Sequence, residues 1–477
     1  MVEPEYVATI GLEVHVQLDT VSKMFCACRT SFAAPPNTAV CPVCLGYPGA
    51  LPVMNRKAVE YTVRAGLMLD CDIQSHSKFD RKSYFYPDMP KNYQISQYDQ
   101  PLCQGGGVEI DTDAGTRIIR LRRIHLEEDV AKNMHFAQSS GVDFNRAGTP
   151  LMEIVTQPDI ESADEALGFL QTLKALMLYS GVSRCNLEEG NMRCDVNISM
   201  RPAGREALGT KAEIKNLNTF KGVQGALLYE IDRQADVLRG GGEIVQETRR
   251  WDVDVGKTFS MRIKEDDHDY RYFPDPDLMP VVLEPKEIAD WRQELPEAPR
   301  ARRVRFVEQY ELPDYDAGVL VADKAVADYF EEAADLSSNS KAVSNWIMTE
   351  MLRMLAEREG AITDVLIRPA ALAELIGLVD DETLNSNSAK EVFVSLFEDG
   401  GMPAALVKEK GLAQVSDSAS IEAFVEQAIA ENPKSVSDYK AGKTKAAKFL
   451  VGQVMRMSQG RSNPQLVMKA LESRLAD

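Results

Sequence analysis

The sequence predicts an α+β chain: a mixed, mostly antiparallel sheet domain, then an all-helical domain, then a small helical tail. Three observations predict it. Two-residue alternation of apolar and polar side chains marks strands in the N-terminal part. Ala-, Glu- and Leu-rich segments at helical spacing fill the chain after Glu294. Breaks at Leu295-Pro296-Glu297-Ala298-Pro299 and Gly400-Gly401-Met402-Pro403 separate these textures. The expected domains are residues 1–293, 294–408 and 409–477.

The first strand is read from Ile10, Leu12, Val14, Val16 and Leu18, which share one face and leave Glu13, His15 and Gln17 on the other. A helix is predicted from Ser162, its cap, to Ser180, with Gly181 ending it. In a second strand Cys194, Val196, Ile198 and Met200 face one way and Arg193, Asp195, Asn197 and Ser199 the other. A third, Lys211 to Asn216, displays Lys211, Glu213 and Lys215 together. Beyond the linker, helices are expected over 300–310, 324–334, 341–358, 369–379 and 388–399. A last one opens near Gly442-Lys443-Thr444-Lys445 and turns Phe449, Leu450, Val454 and Met457 to a core. A polar strand face fits any half-wetted antiparallel sheet. Carboxylates, an imidazole, amides and lysines on such faces also suit a phosphate and a metal.

Over 477 residues, 73 Asp+Glu outweigh 54 Lys+Arg for a net charge of -19, which disfavours non-specific nucleic-acid binding by the surface at large. The exception is local: between Lys434 and Leu475 stand Lys443, Lys445, Lys448, Arg456 and Arg461, among other cations, against only Asp438 and Glu472. That patch fits an RNA backbone, although a charged helix face is often only solvated. No apolar run approaches the roughly 18 residues of a membrane span, and the acidic start lacks a secretory signal, so a cytoplasmic protein is expected, with neither membrane nor DNA as partner.

Cys26-Ala27-Cys28 and Cys41-Pro42-Val43-Cys44 form two knuckles whose four thiolates can close a structural zinc site; the other reading is four incidental core cysteines. Metal ligands of a second kind are offered by Glu13 and His15, by the run His125-Leu126-Glu127-Glu128-Asp129 and by Glu153. Spacing alone does not bring these together. Gly256-Lys257-Thr258 is no P-loop, because Trp251 stands where the first glycine belongs. Two segments, Phe79 to Asp88 and Asp266 to Pro274, are dense in tyrosine and charge and fit either a packed turn or a surface that stacks bases and clamps phosphates.

Taken together, Ile10-Gly11-Leu12-Glu13-Val14-His15-Val16, the knuckles leading to Tyr47-Pro48-Gly49, Phe79-Asp80-Arg81-Lys82, Tyr93-Gln94-Ile95-Ser96-Gln97, Leu126-Glu127-Glu128-Asp129, Gly148-Thr149-Pro150-Leu151-Met152-Glu153, Arg193-Cys194-Asp195-Val196-Asn197, Glu213-Ile214-Lys215-Asn216-Leu217-Asn218 and Tyr270-Arg271-Tyr272-Phe273-Pro274 occur in one order. In that order the whole chain resembles the B subunits of aspartyl/glutamyl-tRNA(Asn/Gln) amidotransferases.

The resemblance implies a kinase-like cradle, a helical domain and a tail that touches tRNA. It implies a heterotrimer with an amidase-type glutaminase A subunit and a small C subunit, acting as an ATP-dependent carbon-nitrogen ligase on misacylated Glu-tRNA(Gln) or Asp-tRNA(Asn). Glu13, His15, Glu128 and Glu153 would hold Mg²⁺, with Glu127 the alternative to Glu128. Asp195, Glu213 and Lys215 would join them in the catalytic pocket, Asn197 and Arg193 would bind nucleotide, and Zn²⁺ on the cysteines would support the fold. The chain lacks a Gly-x-Cys-x-Gly elbow or a Gly-rich Ser pair, so glutaminase chemistry belongs to a partner. Two other functions fit the same residues: a non-enzymatic, zinc-stabilised tRNA-binding adaptor, and a metal-dependent hydrolase.

Overall fold

The computed structural model describes residues 6–30, 33–187, 189–263, 270–414, 418–440, 445–458 and 462–476. The chain divides into two compact units, residues 1–298 and 299–477.

The first unit is built on strands β1 (Tyr6–Gln17), β2 (Asp72–Ile73), β3 (Asp80–Ser83), β4 (Tyr93–Ser96), β5 (Cys103–Gln104), β6 (Gly107–Thr112), β7 (Gly115–Glu128), β8 (Pro150–Thr156), β9 (Met192–Pro202), β10 (Ala212–Lys215), β11 (Glu247–Asp252) and β12 (Lys257–Ile263). Ten of them form one sheet in the order β12-β11-β10-β9-β1-β8-β7-β5-β2, with β6 paired to β7. Pairing is antiparallel except between β10 and β11, so the sheet is mixed, as expected. β3 and β4 form a separate small sheet with Phe273–Pro274.

The alternation read in β1 is what the fold uses. Ile10, Leu12, Val14 and Val16 are fully buried, while Glu13, His15 and Gln17 stand on the opposite face. Helices α1 (Arg56–Met68), α2 (Ala163–Ser180) and α3 (Phe220–Arg239) supply Val59, Phe169, Leu173 and Leu227 to the same core. Each such side chain stabilises the fold by about 1.5–3 kcal/mol through burial. α2 has the predicted ends: the Ser162 hydroxyl accepts from the Glu165 N–H at 3.1 Å, and Gly181 closes the helix at φ 69°. α1 and α3 are capped in the same way: the Asn55 side chain accepts from the Lys57 N–H at 3.0 Å, and the Thr219 hydroxyl accepts from the Gly222 N–H at 2.9 Å, with Gly240 following α3. Fully buried Glu230 of α3 pairs with Arg233 of the same helix at 2.8 Å and with Arg249 of β11 at 2.9 Å.

The second unit is helical among its described residues. One core gathers Phe306, Phe330, Leu372 and Phe393; a separate one gathers Ile421, Val425, Leu450, Val454, Val467 and Leu471. The helix expected over 341–358 is interrupted by a π turn, Ile347–Met351, between α segments Ser340–Trp346 and Leu352–Arg358. In the tail, Lys445–Met457 is a helix with Leu450 and Val454 at 0% exposure, but Phe449 is 48% exposed rather than in the core. The inward stripe runs Ala447, Leu450, Val454, and a neighbouring residue one step along an α-helix is turned about 100° from it.

Candidate functional site

Strand register assembles the site. On the polar face, Glu153 of β8 lies opposite both His15 of β1 and His125 of β7, and His15 lies opposite Arg193 of β9. Four strands therefore line up His125, Glu153, His15 and Arg193 in one row. Glu153 Oε2 is 3.3 Å from His125 Nε2 and 3.4 Å from His15 Nε2. Glu127, two residues beyond His125, brings Oε1 to 3.7 Å from His15 Nε2 and accepts from the Ser96 hydroxyl at 3.2 Å.

Among the described residues, two groups of potential metal ligands have donor atoms all within 4.8 Å of one another: His15, Glu127 and Glu153, and Cys26, Cys28, Cys41 and Cys44. Two carboxylates and an imidazole, nearly buried, fit one divalent cation. Four thiols at that separation fit a closed tetrahedral zinc site. Without an ion the thiols share protons: hydrogen bonding from Cys26 takes Cys44 down to about 4, and burial takes Cys28 up to about 11.

Glu128, named beside Glu13, His15 and Glu153 from the sequence, is placed differently. Neighbouring strand residues point to opposite faces, so Glu128 leaves the cluster. It accepts from Lys91 Nζ at 2.6 Å and from the Ile95 N–H at 3.0 Å, and it faces a cavity also lined by Lys23, Cys44, Tyr47 and Tyr93. Glu127, the alternative, is the residue that meets His15 and Glu153.

Electrostatics mark the row as a strongly coupled centre. Burial alone would lower the His125 pKa, but the Glu153 charge and hydrogen bonding with Glu127 overcome it and push it to about 9. His15 is raised against burial by the same two carboxylates. Burial would raise Glu153, yet the charges of His125 and His15 hold it well below the usual carboxylate range. Glu13 goes the other way: burial, then Glu153 and Asp195, push its pKa up, and its carboxylate accepts from Asn197 Nδ2 at 3.1 Å. A site crowded with negative charge is the setting in which a cation is stabilised.

The neighbouring positions form a second group. Lys215 Nζ lies 3.0 Å from Asp195 Oδ2 and 3.2 Å from Glu213 Oε1, and Glu213 also accepts from the Thr248 hydroxyl at 2.9 Å. Arg193 turns to Asp129, donating at 2.8 Å. Two further residues join the centre. His125, offered from the sequence only as part of the run His125 to Asp129, shares a face of β7 with Glu127. Lys82 stands close enough that Glu127, Tyr272 and Glu153 raise its pKa despite burial; its only signal is the Phe79-Asp80-Arg81-Lys82 segment.

In the tail, Lys445, Lys448 and Arg456 are exposed on their helix, whereas Lys443 and Arg461 lie outside the described residues, as do Asp266 to Asp269. No helix among the described residues is long and apolar enough to cross a membrane.

The pattern of the GatB/GatE catalytic domain matches residues 8–289, and that of the GatB domain matches residues 328–475. A relative from Caldicellulosiruptor saccharolyticus is 52% identical over 476 residues, 99% of each chain. One from Carboxydothermus hydrogenoformans is 51% identical over 477 residues, again 99% of each. One from Caldanaerobacter subterraneus is 53% identical over 473 residues, 99% of this chain and 100% of that one. All three are named as B subunits of aspartyl/glutamyl-tRNA(Asn/Gln) amidotransferase. With matches of this extent along its whole length, the chain belongs to the GatB/GatE family.

Proposed function

We propose that this chain is the tRNA-binding, ATP-using subunit of a glutamine-dependent tRNA amidotransferase. The observation that carries the reading is the row of His125, Glu153 and His15 with Glu127 beside it: oxygen and imidazole donors converge on one point of a polar sheet face.

His15, Glu127 and Glu153 would hold Mg²⁺ there, with Glu13 next along β1. Bound Mg²⁺ supplies charge stabilisation to the transferring phosphoryl group. Lys82 approaches the same carboxylates with a positive charge that phosphate oxygens can meet. Lys215, held between Asp195 and Glu213, and Asn197 stand further along the face, suited to the nucleotide or the aminoacyl end. A side-chain carboxylate oxygen of misacylated Glu-tRNA(Gln) or Asp-tRNA(Asn) forms a bond to the γ-phosphorus of ATP and ADP departs. Ammonia then attacks the acyl carbon, inorganic phosphate leaves, and the amide remains on the tRNA. Ammonia stays neutral and unhydrated only in a passage closed to solvent; its source is an amidase-type glutaminase A subunit, with a small C subunit completing the heterotrimer. The cysteine knuckles would hold a structural Zn²⁺, and Lys445, Lys448 and Arg456 would meet the tRNA backbone, with Lys443 and Arg461 in the same patch. The setting is cytoplasmic.

The test is reconstitution of the three subunits with Glu153→Gln, His15→Ala or Glu127→Gln. Amidated tRNA formation should collapse while glutaminase turnover by the partner persists. Unchanged amidation would remove these residues from the mechanism, and ATP-independent binding alone would favour an adaptor.

A further inference from the structure

Two segments far apart in sequence are clamped side by side next to this centre. The Ser83 N–H donates to the Tyr270 carbonyl at 2.9 Å, and Phe273 pairs with Arg81 across the small sheet. Each segment delivers tyrosines to the same rim. The Tyr84 and Tyr86 ring centres are 6.0 Å apart, inclined at 35°. Tyr270 and Tyr272 are 6.0 Å apart at 70°, and Tyr272 stacks on Tyr98 at 4.3 Å and 13°. Arg271, between the two tyrosines, has φ 46°, a left-handed conformation that costs a non-glycine residue energy and recurs at functional sites.

The row begins at the reaction centre and ends in water. Lys82 Nζ lies 4.8 Å from the centre of the Tyr270 ring. Tyr272 feels the charges of Lys82, Glu127 and Glu153, and Tyr84 those of Tyr270 and Lys215. Yet Tyr98 is 51% and Tyr86 50% exposed. Rings placed to build a core would be covered. Stacked rings left half-bare beside a cleft instead offer a face to another π system.

We propose that Tyr84, Tyr86, Tyr98 and Tyr272 form a stacking platform for the unpaired 3′-terminal nucleobase of the aminoacylated RNA. The inference rests on the function proposed above. The reacting carboxylate is still esterified to the terminal ribose, so that nucleoside must sit about two residue lengths, ~7 Å, from the phosphoryl acceptor. Within the platform, Tyr272 adjoins the centre closely enough to feel the charges of Lys82, Glu127 and Glu153. An open platform also suits the end of a strand arriving from solvent better than the adenine of ATP, because small-ligand pockets enclose most of their ligand.

The assembled heterotrimer carrying Tyr98→Ala, Tyr86→Ala or both tests this, beside Tyr98→Phe and Tyr86→Phe. Stacking needs the ring and not the hydroxyl. The alanine variants should raise KM for aminoacyl-tRNA between about 5- and about 150-fold, with KM for ATP unchanged and the phenylalanine variants close to wild type. A rise in KM for ATP instead, an equal loss in the phenylalanine variants, or no change would each overturn the platform. A non-hydrolysable 3′-aminoacyl-adenosine should inhibit wild type more strongly than Tyr98→Ala; equal inhibition of both would also overturn it. The analogue should bind Glu153→Gln as well as wild type, so a failed platform is distinguishable from a failed phosphoryl-transfer reading, which would show as full amidation by Glu153→Gln.

Discussion

His125 Nε2 lies 3.3 Å from Glu153 Oε2, directly across the β7–β8 strand pair, and the same oxygen is 3.4 Å from His15. Glu153 is thereby fixed between two imidazoles. Removing His125 frees the carboxylate to rotate and leaves Glu127 and Glu153 facing each other without the intervening charge. Loss of an orienting partner of this kind typically costs 10–100-fold in metal affinity. His125→Gln should therefore shift the Mg²⁺ dependence of aminoacyl-tRNA-stimulated ATP turnover to at least ~10-fold higher concentration. An unmoved Mg²⁺ curve would show that His15 alone orients Glu153.

The same histidine gives a pH signature in metal-free protein. Its pKa is raised in the fold to about 9. A raised group binds its proton more tightly when folded, so its contribution is fully present below the unfolded value of ~6.5 and disappears as pH climbs through 9. The thermal midpoint of chelated wild-type protein should fall between pH 6.5 and 9 by more than that of His125→Gln. Parallel curves would assign the loss to other groups.

Glu127 and Glu128 should separate cleanly. Glu127→Gln replaces an oxygen donor at the cluster and should raise the Mg²⁺ requirement. Glu128→Gln leaves the cluster intact but removes the counter-charge from Lys91, whose side chain is 11% exposed. Breaking a buried pair on one side typically destabilises by about 3–5 kcal/mol, an upper limit here because Lys91 borders a cavity. Glu128→Gln should thus lower the thermal midpoint with its Mg²⁺ curve in place. The reverse pattern, measured by calorimetry and by Mg²⁺ titration, would restore Glu128 as the ligand.

The contrast between those two glutamates shows where sequence reading stops. Alternation in β1 was legible because one face is fully buried, and the α2 ends were legible because Ser162 and Gly181 act locally. The knuckles were legible from four cysteines within a short stretch. Which residues meet across strands is a matter of register. His15 lies far along the chain from His125 and Glu153 and meets them only through pairing, and no local pattern in β1 specifies its partner in β8. A single step along β7 decides between Glu127 and Glu128, and periodicity does not say which face of an acidic pair points inward. Likewise, Phe449 borders the apolar face of Leu450, Val454 and Met457 on the helix, and the sequence does not fix the edge of that face; the buried stripe of Ala447, Leu450 and Val454 leaves Phe449 outside.

Lys23 is fully buried and donates to Cys44 Sγ at 3.5 Å and to the Phe144 carbonyl at 3.2 Å. A tetrathiolate zinc site carries net negative charge, and a buried ammonium beside it offsets that charge. Lys23→Met keeps most of the length of the side chain and removes the charge. Zinc release to a chromogenic chelator should become roughly 10-fold faster or more, with a lower thermal midpoint. Release at the wild-type rate would make Lys23 a spectator.

The exposed tail helix predicts a salt signature. Lys445, Lys448 and Arg456 project to solvent around the bare ring of Phe449. A lysine that neutralises one phosphate displaces about one counterion, so Lys448→Ala should weaken tRNA binding and reduce the slope of log K against log salt by about one. Phe449→Ala removes an aromatic surface but no charge. It should weaken binding with the slope unchanged, because stacking releases no counterions. Filter binding at several salt concentrations measures both. If Lys448→Ala leaves affinity and slope alike untouched, this face of the helix is only solvated and the RNA contact lies on other residues.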